Sequence, residues 1–376
     1  GADLSIGIYR RTLYQNYSVH VSRNSSEVIN GIITKTSTVI HGVVSPILTL
    51  MASVVLIFGI TTALFFINTE VALSAFFGFG FLYLSIILYT KKRLKKNGEC
   101  IAEESTRVIK SLQEGLGGIR DVIIDSNQEF YCRLYRESDL PLRQASGDNQ
   151  FISSSPRYLM EAVGMSLIAI LAYFMTQDNK GFEVIPILGA LALGAQRLLP
   201  ALQQAYSSYS TFIGSIPSFK DAMKLLMQPL PKVNDNQNID HIKFDKSLHL
   251  KNIEFRHSDS LPYVLKGIDI KIKKGSCVGF IGVTGSGKST LLDIVMRLLT
   301  PTSGKLLVDS LIINKDNEKF WQEHISHVPQ TVYLSDATIE ENIAFGISKK
   351  LIDHDRVRSA AKKAQISNLI DGWKDG

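Results

Sequence analysis

The chain has 376 residues, 45% of them hydrophobic and 20% charged, with a formal net charge of +6. The average hides two parts, because long uncharged runs fill the first two thirds and the last third reads as a soluble domain. The basic excess is local: Lys91, Lys92, Arg93, Lys95 and Lys96 border one apolar run, which indicates a membrane flank and no nucleic-acid partner. The three cysteines show no CxxC spacing, so no zinc or redox motif is indicated.

Four apolar stretches predict membrane-spanning helices. Residues 43–67 and 71–90 contain no Asp, Glu, Lys or Arg, and each is long enough for a bilayer core that takes roughly 20 helical residues. Residues 156–177 and 184–210 are similarly apolar but carry a few charges. Buried helices of a soluble protein are the alternative, but such helices rarely run so long without charge.

The basic residues of the connections predict an orientation in the lipid bilayer. The turn at 68–70 holds no Lys or Arg and the turn at 178–181 holds one, whereas the basic cluster follows residue 90. The positive-inside rule therefore places both turns outside and the helical segments 1–35 and 91–155 in the cytoplasm. The 91–155 connection predicts two helices that join near residues 120–130 and reach on the order of 45 Å below the membrane.

The composition and the hydrophobic pattern of the sequence change after residue 227. Residues 228–247 are rich in Asn, Asp and Pro, which is typical of a linker. The alternating stretches LHLKNIEF (248–255) and GIDIKI (267–272) predict half-buried strands. The apolar SCVGFIGV (276–283) predicts a buried strand, and STLLDIVMRLL (289–299) predicts an amphipathic helix.

Between that strand and that helix, residues 282–289 match the pattern G-x-x-x-x-G-K-[ST] of a P-loop. Gly282, Gly285 and Gly287 let the backbone wrap closely around phosphate oxygens, where a Cβ would obstruct it. The loop amides and the helix N-terminus form an anion cradle. Lys288 is predicted to hold the β- and γ-phosphates of ATP, and Ser289 to ligate Mg²⁺. The predicted nucleotide-binding set is Gly282, Thr284, Gly285, Ser286, Gly287, Lys288, Ser289 and Thr290.

The motifs VLKGIDIKIKKG, GVTGSGKSTLLDIV, PTSGKLLVD, HVPQ and DATIEENIAFG follow one another between residues 264 and 346. In this order and spacing, the chain resembles the nucleotide-binding domain of ABC transporters, in the exporter type with a fused membrane domain. The resemblance implies that Gln330 in HVPQ contacts Mg²⁺ and the hydrolytic water. It implies an aromatic residue stacked on adenine, where this chain has His257, with Tyr263 nearby as a substitute. LLVDS (306–310) comes too early for a Walker B strand and lacks its glutamate, so we interpret it as a hairpin strand.

The first part of the chain resembles the same exporters. SVHVSRNSSEV (18–28) and GGIRDVIIDSNQEF (117–130) are similar to their two cytoplasmic coupling segments. RNSSE, GIRDV, QRLLP and the HVPQ region resemble most the branch that flips lipid-linked oligosaccharides or exports polysaccharide. Arg197, an ionisable residue in a span, is a candidate to bind an anionic head group such as pyrophosphate. The alternative is that Arg197 snorkels to the cytoplasmic end of its span or pairs with a carboxylate.

The expected fold class is an all-α transmembrane domain over residues 1–227, with four of the family's six spans, then the linker and the front part of an α/β P-loop domain over 248–376. The family's LSGGQ signature, Walker B Asp-Glu and switch histidine are absent, so we expect a fragment truncated at both ends and inactive alone. We expect its parent to be a homodimeric, ATP-driven exporter of a bacterial inner membrane, with the nucleotide-binding domain in the cytoplasm. The open alternatives are an exporter of lipid, drug or peptide, an ABC-type channel or regulator, and a membrane-anchored P-loop kinase or GTPase.

Overall fold

The computed structural model describes residues 1–67, 69–177, 181–230 and 242–373. The chain divides into two compact units, Gly1–Gln237 and Asn238–Gly376. The first unit is helical throughout its described residues, and the second combines an antiparallel sheet with short helices. This agrees with the predicted class, a helical region followed by a mixed α/β region.

Ten helices build the described part of the first unit. They are α1 (Ala2–Leu13), α2 (Tyr17–Ser22), α3 (Ser25–Asn30), α4 (Thr36–Val39), α5 (Ser45–Ile67), α6 (Thr69–Gly117), α7 (Ile119–Ile124), α8 (Gln128–Ser154), α9 (Pro156–Gln177) and α10 (Gly181–Leu226). Two π-helical turns, Gly31–Lys35 and Ile40–Val44, join α3, α4 and α5 into one rod. Asn24 begins that rod, because its side-chain oxygen accepts the backbone N–H of Ser26 at 3.1 Å.

The four predicted spans all lie in helical backbone. The third, 156–177, coincides with α9, and the first ends with α5 at residue 67. The second and fourth are the front parts of α6 and α10, which continue for 49 and 46 residues in all. By length and composition, one stretch of the described residues, Ser25–Phe66, is apolar enough to cross a membrane. Of the predicted turns at 68–70 and 178–181, residues 68 and 178–180 lie outside the described ones. Thr69 and Glu70 already belong to α6, and Gly181 begins α10.

The predicted helical pair after residue 90 consists of the second half of α6 and the whole of α8. The chain reverses between them through α7, which spans Ile119–Ile124, near the expected residues 120–130. Arg93 clamps the pair by donating from Nε and Nη2 to the two carboxylate oxygens of Asp148, at 2.7 and 2.6 Å. Asn97 donates to the same carboxylate at 2.7 Å, and these bonds hold the pKa of Asp148 below its usual range.

Helices α6 and α10 approach one another at glycines. A Cβ on Gly98 of α6 would lie 2.3 Å from the carbonyl oxygen of Gly214 in α10, so only glycine fits there. On the other side of α10, a Cβ on Gly42 would lie 2.2 Å from Oγ of Ser215. Close backbone contact of this kind fixes α10 between two neighbouring helices.

The sheet of the second unit has the order β2-β1-β3-β4, with antiparallel pairing throughout. Its strands are β1 (Ser247–Phe255), β2 (Leu265–Lys273), β3 (Ser303–Val308) and β4 (Leu311–Ile312). Strands β1 and β2 confirm the two alternating patterns, and LLVDS belongs to the β3–β4 hairpin as predicted, with Val308 opposite Leu311. The fully buried Leu250, Ile253 and Leu306 anchor the core of the unit.

Five short helices accompany the sheet. They are α11 (Lys288–Val295), α12 (Glu318–Gln322), α13 (Ile339–Ile343), α14 (His354–Lys363) and α15 (Ser367–Asp371). The predicted helix 289–299 ends early, because the chain turns at Arg297, whose φ is +59°. Trp321 of α12 is buried and donates its indole N–H to the carbonyl of Val295 at 2.8 Å, which ties α12 to the end of α11.

The predicted strand at 276–283 is wrong. The residues between the Lys274–Gly275 turn and the P-loop form no strand, and Ile281 is 100% exposed. The residues around HVPQ, 325–329, likewise form no strand, and Val328 is 89% exposed. A strand needs a neighbouring backbone to pair with, and no described residue pairs with either segment. Apolar content alone therefore did not decide the local structure.

Asp309, in the β3–β4 turn, fixes the entry of the chain into the sheet. Its carboxylate accepts the backbone N–H groups of Lys246 and Ser247 at 2.7 and 2.6 Å, and that of Asp245 as well. These bonds hold the pKa of Asp309 below its usual range. The aspartate of LLVDS, which resembles a Walker B aspartate in sequence, therefore acts on the backbone just before β1. Of the predicted linker, the described residues 228–230 and 242–246 form no helix or strand.

Candidate functional site

The P-loop connects the extended segment 276–281 to helix α11. Gly287 is the N-cap of α11 with a φ of +87°, and Gly285 has a φ of +82°. L-residues with a side chain rarely adopt this left-handed conformation, which explains why both positions are glycine. The loop closes through the N–H of Ser286, which donates to the carbonyl of Val283 at 3.2 Å.

Lys288 folds back over the loop. Its Nζ donates to the carbonyl oxygens of Gly282 and Val283, both at 2.8 Å, and lies 3.4 Å from Oγ of Ser286. Among the described residues, the ammonium group therefore meets only neutral dipoles, from two carbonyl groups and one hydroxyl. An anion placed there would form hydrogen bonds in which both partners are charged, and these are stronger than the bonds to neutral carbonyls that they replace.

The loop is packed against the start of β2. A Cβ on Gly287 would lie 2.9 Å from Cδ2 of Leu265 and 3.1 Å from Cγ1 of Val264. The loop and the start of α11 are thus held by the sheet, and the first backbone N–H groups of α11 have no partner within the helix. The fit to a phosphate group rests on these N–H groups, the two left-handed glycines and Lys288 together.

His257 follows β1 and lies close enough to α11 to act electrostatically on Asp293. Its ring packs edge-on against Phe255, with ring centroids 5.0 Å apart. Burial raises the pKa of Asp293 in α11, and the nearby His327 and His257 oppose that rise. His257 and His327, the first residue of HVPQ, therefore act electrostatically on the same carboxylate. Sequence reasoning missed Asp293, and only its position five residues after Lys288 in the helix could have suggested it.

Tyr263 directly precedes Val264, whose Cγ1 would lie 3.1 Å from a Cβ on Gly287. Tyr263 therefore lies near the P-loop in space. The guanidinium of Arg256 covers its ring, 5.2 Å from the centroid. Asp259 holds that guanidinium in an ion pair of 2.7 Å. The sequence did not point to Arg256. An arginine stacked on an aromatic ring extends a flat surface of the kind on which a base can stack.

Most of the remaining predicted residues are exposed, and Thr290 is half-buried. Ser289 and Thr290 lie in the first turn of α11, with Ser289 open to solvent, and Gln330 is exposed on its extended segment. No hydrogen bond joins Gln330 to Ser289 in the described structure. Arg197 belongs to the other unit, lies exposed on α10, and forms no ion pair with any described residue. Pairing of Arg197 with a carboxylate, one of the two alternatives, is therefore not found among the described residues.

Comparison with known proteins addresses both units. The model for the ABC transporter transmembrane region matches residues 2–179, and the model for the ABC transporter nucleotide-binding region matches residues 265–374. An ATP-dependent lipid A-core flippase of Cupriavidus pinatubonensis is 23% identical over 98% of this chain and 62% of its own length. One of the same name from Chromohalobacter salexigens is 26% identical over 77% of this chain and 50% of its own.

Among solved structures, a bacterial Atm1-family ABC exporter with ATP bound superposes with a TM-score of 0.82 at 18% identity, over all of this chain and 66% of its own. That similarity shows the fold. The chain spans less than two thirds of the length of these two flippases. The two family matches and the shared fold therefore assign both units to the same protein family. The chain belongs to the ABC transporters, with a transmembrane region and a nucleotide-binding domain fused in one polypeptide, and it shares its fold with an ABC exporter.

Proposed function

We propose that the protein is an ATP-driven exporter or flippase that works by alternating access in a dimer. The observation that carries the proposal is the position of Lys288, whose ammonium group folds back onto the P-loop and donates to the carbonyl oxygens of Gly282 and Val283. The phosphates of ATP would take over these hydrogen bonds. The flippase names of the relatives support the coupling of this site to movement of a substrate across a membrane.

We assign the phosphates of ATP to the loop residues, with Lys288 on the β- and γ-phosphates. The full set is Gly282, Thr284, Gly285, Ser286, Gly287, Lys288, Ser289 and Thr290. Mg²⁺ would be held by the Ser289 hydroxyl and reached by Gln330, and it would neutralise charge on the phosphates. Both side chains are exposed, so both are free to meet an incoming Mg²⁺–nucleotide complex.

Two aromatic side chains are candidates for contact with adenine. Tyr263 is favoured by its connection through Val264 to the loop and by the guanidinium of Arg256 on its ring. His257 is favoured by its position next to α11, although its ring is engaged edge-on with Phe255. Stacking on either would add base–aromatic contact without hydrogen-bond readout of the base.

For the substrate, we propose a lipid-linked oligosaccharide or polyanionic glycan precursor. Arg197, exposed on α10 and without an ion pair among the described residues, would meet an anionic head group such as pyrophosphate. Lipids, drugs or peptides are the alternative cargo. The partner would be a second copy of the same subunit. The protein would lie in the bacterial inner membrane with its nucleotide-binding domain in the cytoplasm, as the basic cluster after residue 90 predicts.

The test is ATP hydrolysis by the protein expressed from its complete gene and reconstituted in liposomes. Replacing Lys288 by Ala removes charge-assisted hydrogen bonds to the phosphates, so we expect the rate to fall by about tenfold to a hundredfold. The matched control is Lys305→Ala, which removes an exposed lysine from β3 of the same unit. Equal rates for wild type and Lys288→Ala would contradict the proposal, as would an equal fall in both variants.

A further inference from the structure

The chain leaves the helical unit at the end of α10, whose last residue is Leu226. Gln228 and Pro229 follow it, still belong to that unit, and begin the connection to the nucleotide-binding unit. The last carbonyl groups of a helix have no partner within it and carry partial negative charge, so they favour cationic donors. Side chains that bind Gln228 and Pro229 therefore fix the start of the peptide connection between the two units.

Three side chains from the N-terminal helices bind this start. Arg11 of α1 donates from Nη1 to the carbonyl oxygen of Gln228 at 2.8 Å. Gln15, just after α1, donates from Nε2 to the carbonyl oxygen of Pro229 at 2.9 Å. Arg23, between α2 and α3, places Nη1 3.3 Å from Oε1 of Gln228, which is a buried residue. We call Arg11, Gln15 and Arg23 the exit clamp.

The exit clamp adds to a close contact at the same end of α10. A Cβ on Gly31, in the first π-helical turn, would lie 2.1 Å from Cδ1 of Leu225, so the two backbones approach closely there. The buried Lys35 places its Nζ 2.6 Å from Oδ2 of Asp221. The final turns of α10 are therefore held by the rod that contains α3, and the exit clamp ties the residues after α10 to α1 and to Arg23.

We propose that the exit clamp makes the start of the linker and the segment 18–28 move together, so that ATP-driven movement of the nucleotide-binding unit reaches α10. Its three side chains act as positioning residues, and the inference rests on the proposed function. Arg23 belongs to segment 18–28, which resembles a coupling segment, so the clamp joins that segment to the linker. Two of the three hydrogen bonds of the clamp end on main-chain carbonyls, and two of its three donors are charged, which is the stronger class of hydrogen bond.

Stabilisation of the helical unit is the alternative role of these contacts. A contact that only stabilises contributes equally with and without nucleotide, whereas a contact that couples two sites changes the difference between the two states. Coupling also needs a continuous series of contacts, which here runs from the exit clamp along α10 to the contact of Gly214 with Gly98 of α6. Gly214 precedes Leu226 by 12 residues, about 18 Å along the helix, so a change measured there separates the two roles.

The test is hydrogen exchange of the protein expressed from its complete gene, in nanodiscs, with and without Mg²⁺ and ATP. Residues 93–103 of α6 and 208–218 of α10 surround the Gly98–Gly214 contact and report on movement that has passed along α10. Residues 282–295 report separately on ATP binding at the P-loop. The quantity compared between variants is the change in exchange that ATP causes in each of these segments.

The variant is Arg11→Met with Arg23→Met, which keeps two long side chains but removes their charges and donors. The matched control is Arg10→Met with Lys220→Met, which removes two exposed cations that form no ion pair with any described residue. Arg11→Lys with Arg23→Lys keeps a charged donor at both positions of the clamp. Thermal unfolding checks that the variants fold, and Arg23→Met alone repeats the comparison if the double variant is destabilised.

We expect the methionine variant to reduce the ATP-induced change over residues 93–103 and 208–218 by at least about threefold, because a lost hydrogen bond to a charged group shifts an equilibrium by about tenfold or more. Protection over residues 282–295 should stay within about twofold of wild type, as should all segments of the control and the lysine variant. An undiminished change in the methionine variant, or an equal loss in the control or the lysine variant, would overturn the proposal. So would a wild type in which ATP protects residues 282–295 but changes nothing around Gly98 and Gly214. A wild type without protection over residues 282–295 would contradict the proposed function itself.

Discussion

The helical unit and the nucleotide-binding unit differ in how their backbone hydrogen bonds are formed. Helix α9 coincides with a stretch recognised from its apolar run alone, residues 156–177. Segment 276–283 of the second unit has an equally clear apolar pattern and forms no strand. A helix closes its hydrogen bonds within four residues, whereas a strand needs a partner distant in sequence. The P-loop is therefore held in place by its contacts with β2 and by helix α11, and not by strand pairing of segment 276–283 with any described residue.

The two units also use glycine differently. In the helical unit, Gly98 gives space for the backbone of Gly214. In the nucleotide-binding unit, Gly287 combines a left-handed φ of +87° with close contact to Leu265. One glycine is required by packing alone and the other by both packing and backbone conformation. Substitutions at these positions separate the two causes.

The largest effect is expected for Gly287→Ala. The left-handed backbone and the contact with Leu265 and Val264 should together cost about 2–4 kcal/mol in the free energy of unfolding of the second unit. The added Cβ should also push the loop away from β2, so that ATP no longer binds. Amide hydrogen exchange resolved by segment measures the loss, which we expect over β1, β2 and α11 and not over α6 or α10.

Gly279→Ala is the control for that experiment. Gly279 has no heavy atom within 4 Å of an added Cβ, and its φ lies outside the left-handed range. We expect protection and ATP binding close to those of the wild type. A loss at Gly279→Ala as large as at Gly287→Ala would show that the segment 276–283 is itself paired, contrary to the structure.

A smaller effect is expected for Gly98→Ala in the helical unit. Alanine is favoured over glycine in a helix by about 1 kcal/mol, but the clash with the Gly214 carbonyl should cost about 2–3 kcal/mol, leaving a net loss of about 1–2 kcal/mol. Gly147→Ala in α8 has open space around the added Cβ, so it should stabilise by about 0.5–1 kcal/mol. Thermal unfolding in detergent should rank them Gly147→Ala, wild type, Gly98→Ala; the reverse order would contradict the α6–α10 packing.

Much of the fold followed from sequence, for physical reasons that differ between elements. Apolar length and helical periodicity located the helical stretches, and alternation located β1 and β2, because each of these strands buries one face. The prediction that LLVDS belongs to a hairpin is confirmed, because β3 is followed by a short turn and pairs with β4. The strand prediction for segment 276–283 was wrong because its apolar residues depend on neighbours that no local pattern reveals.

The candidate site was predictable to a similar degree. The P-loop motif located Lys288 and the glycines, since that spacing is itself the chemistry of phosphate binding. The contacts of Lys288 with Gly282 and Val283, the stacking of Arg256 on Tyr263 and the electrostatic effect of His257 on Asp293 depend on tertiary packing. No pattern in the sequence predicts these contacts, and the motif alone does not describe them.

The most direct test of the central claim is hydrogen exchange of the full chain in nanodiscs, with and without Mg²⁺ and ATP, read over residues 282–295. If the nucleotide replaces the loop carbonyls on Lys288 and engages the loop amides, ATP should slow exchange in this segment, and Lys288→Ala should largely remove that protection. Unchanged exchange over residues 282–295 at saturating ATP would contradict the account.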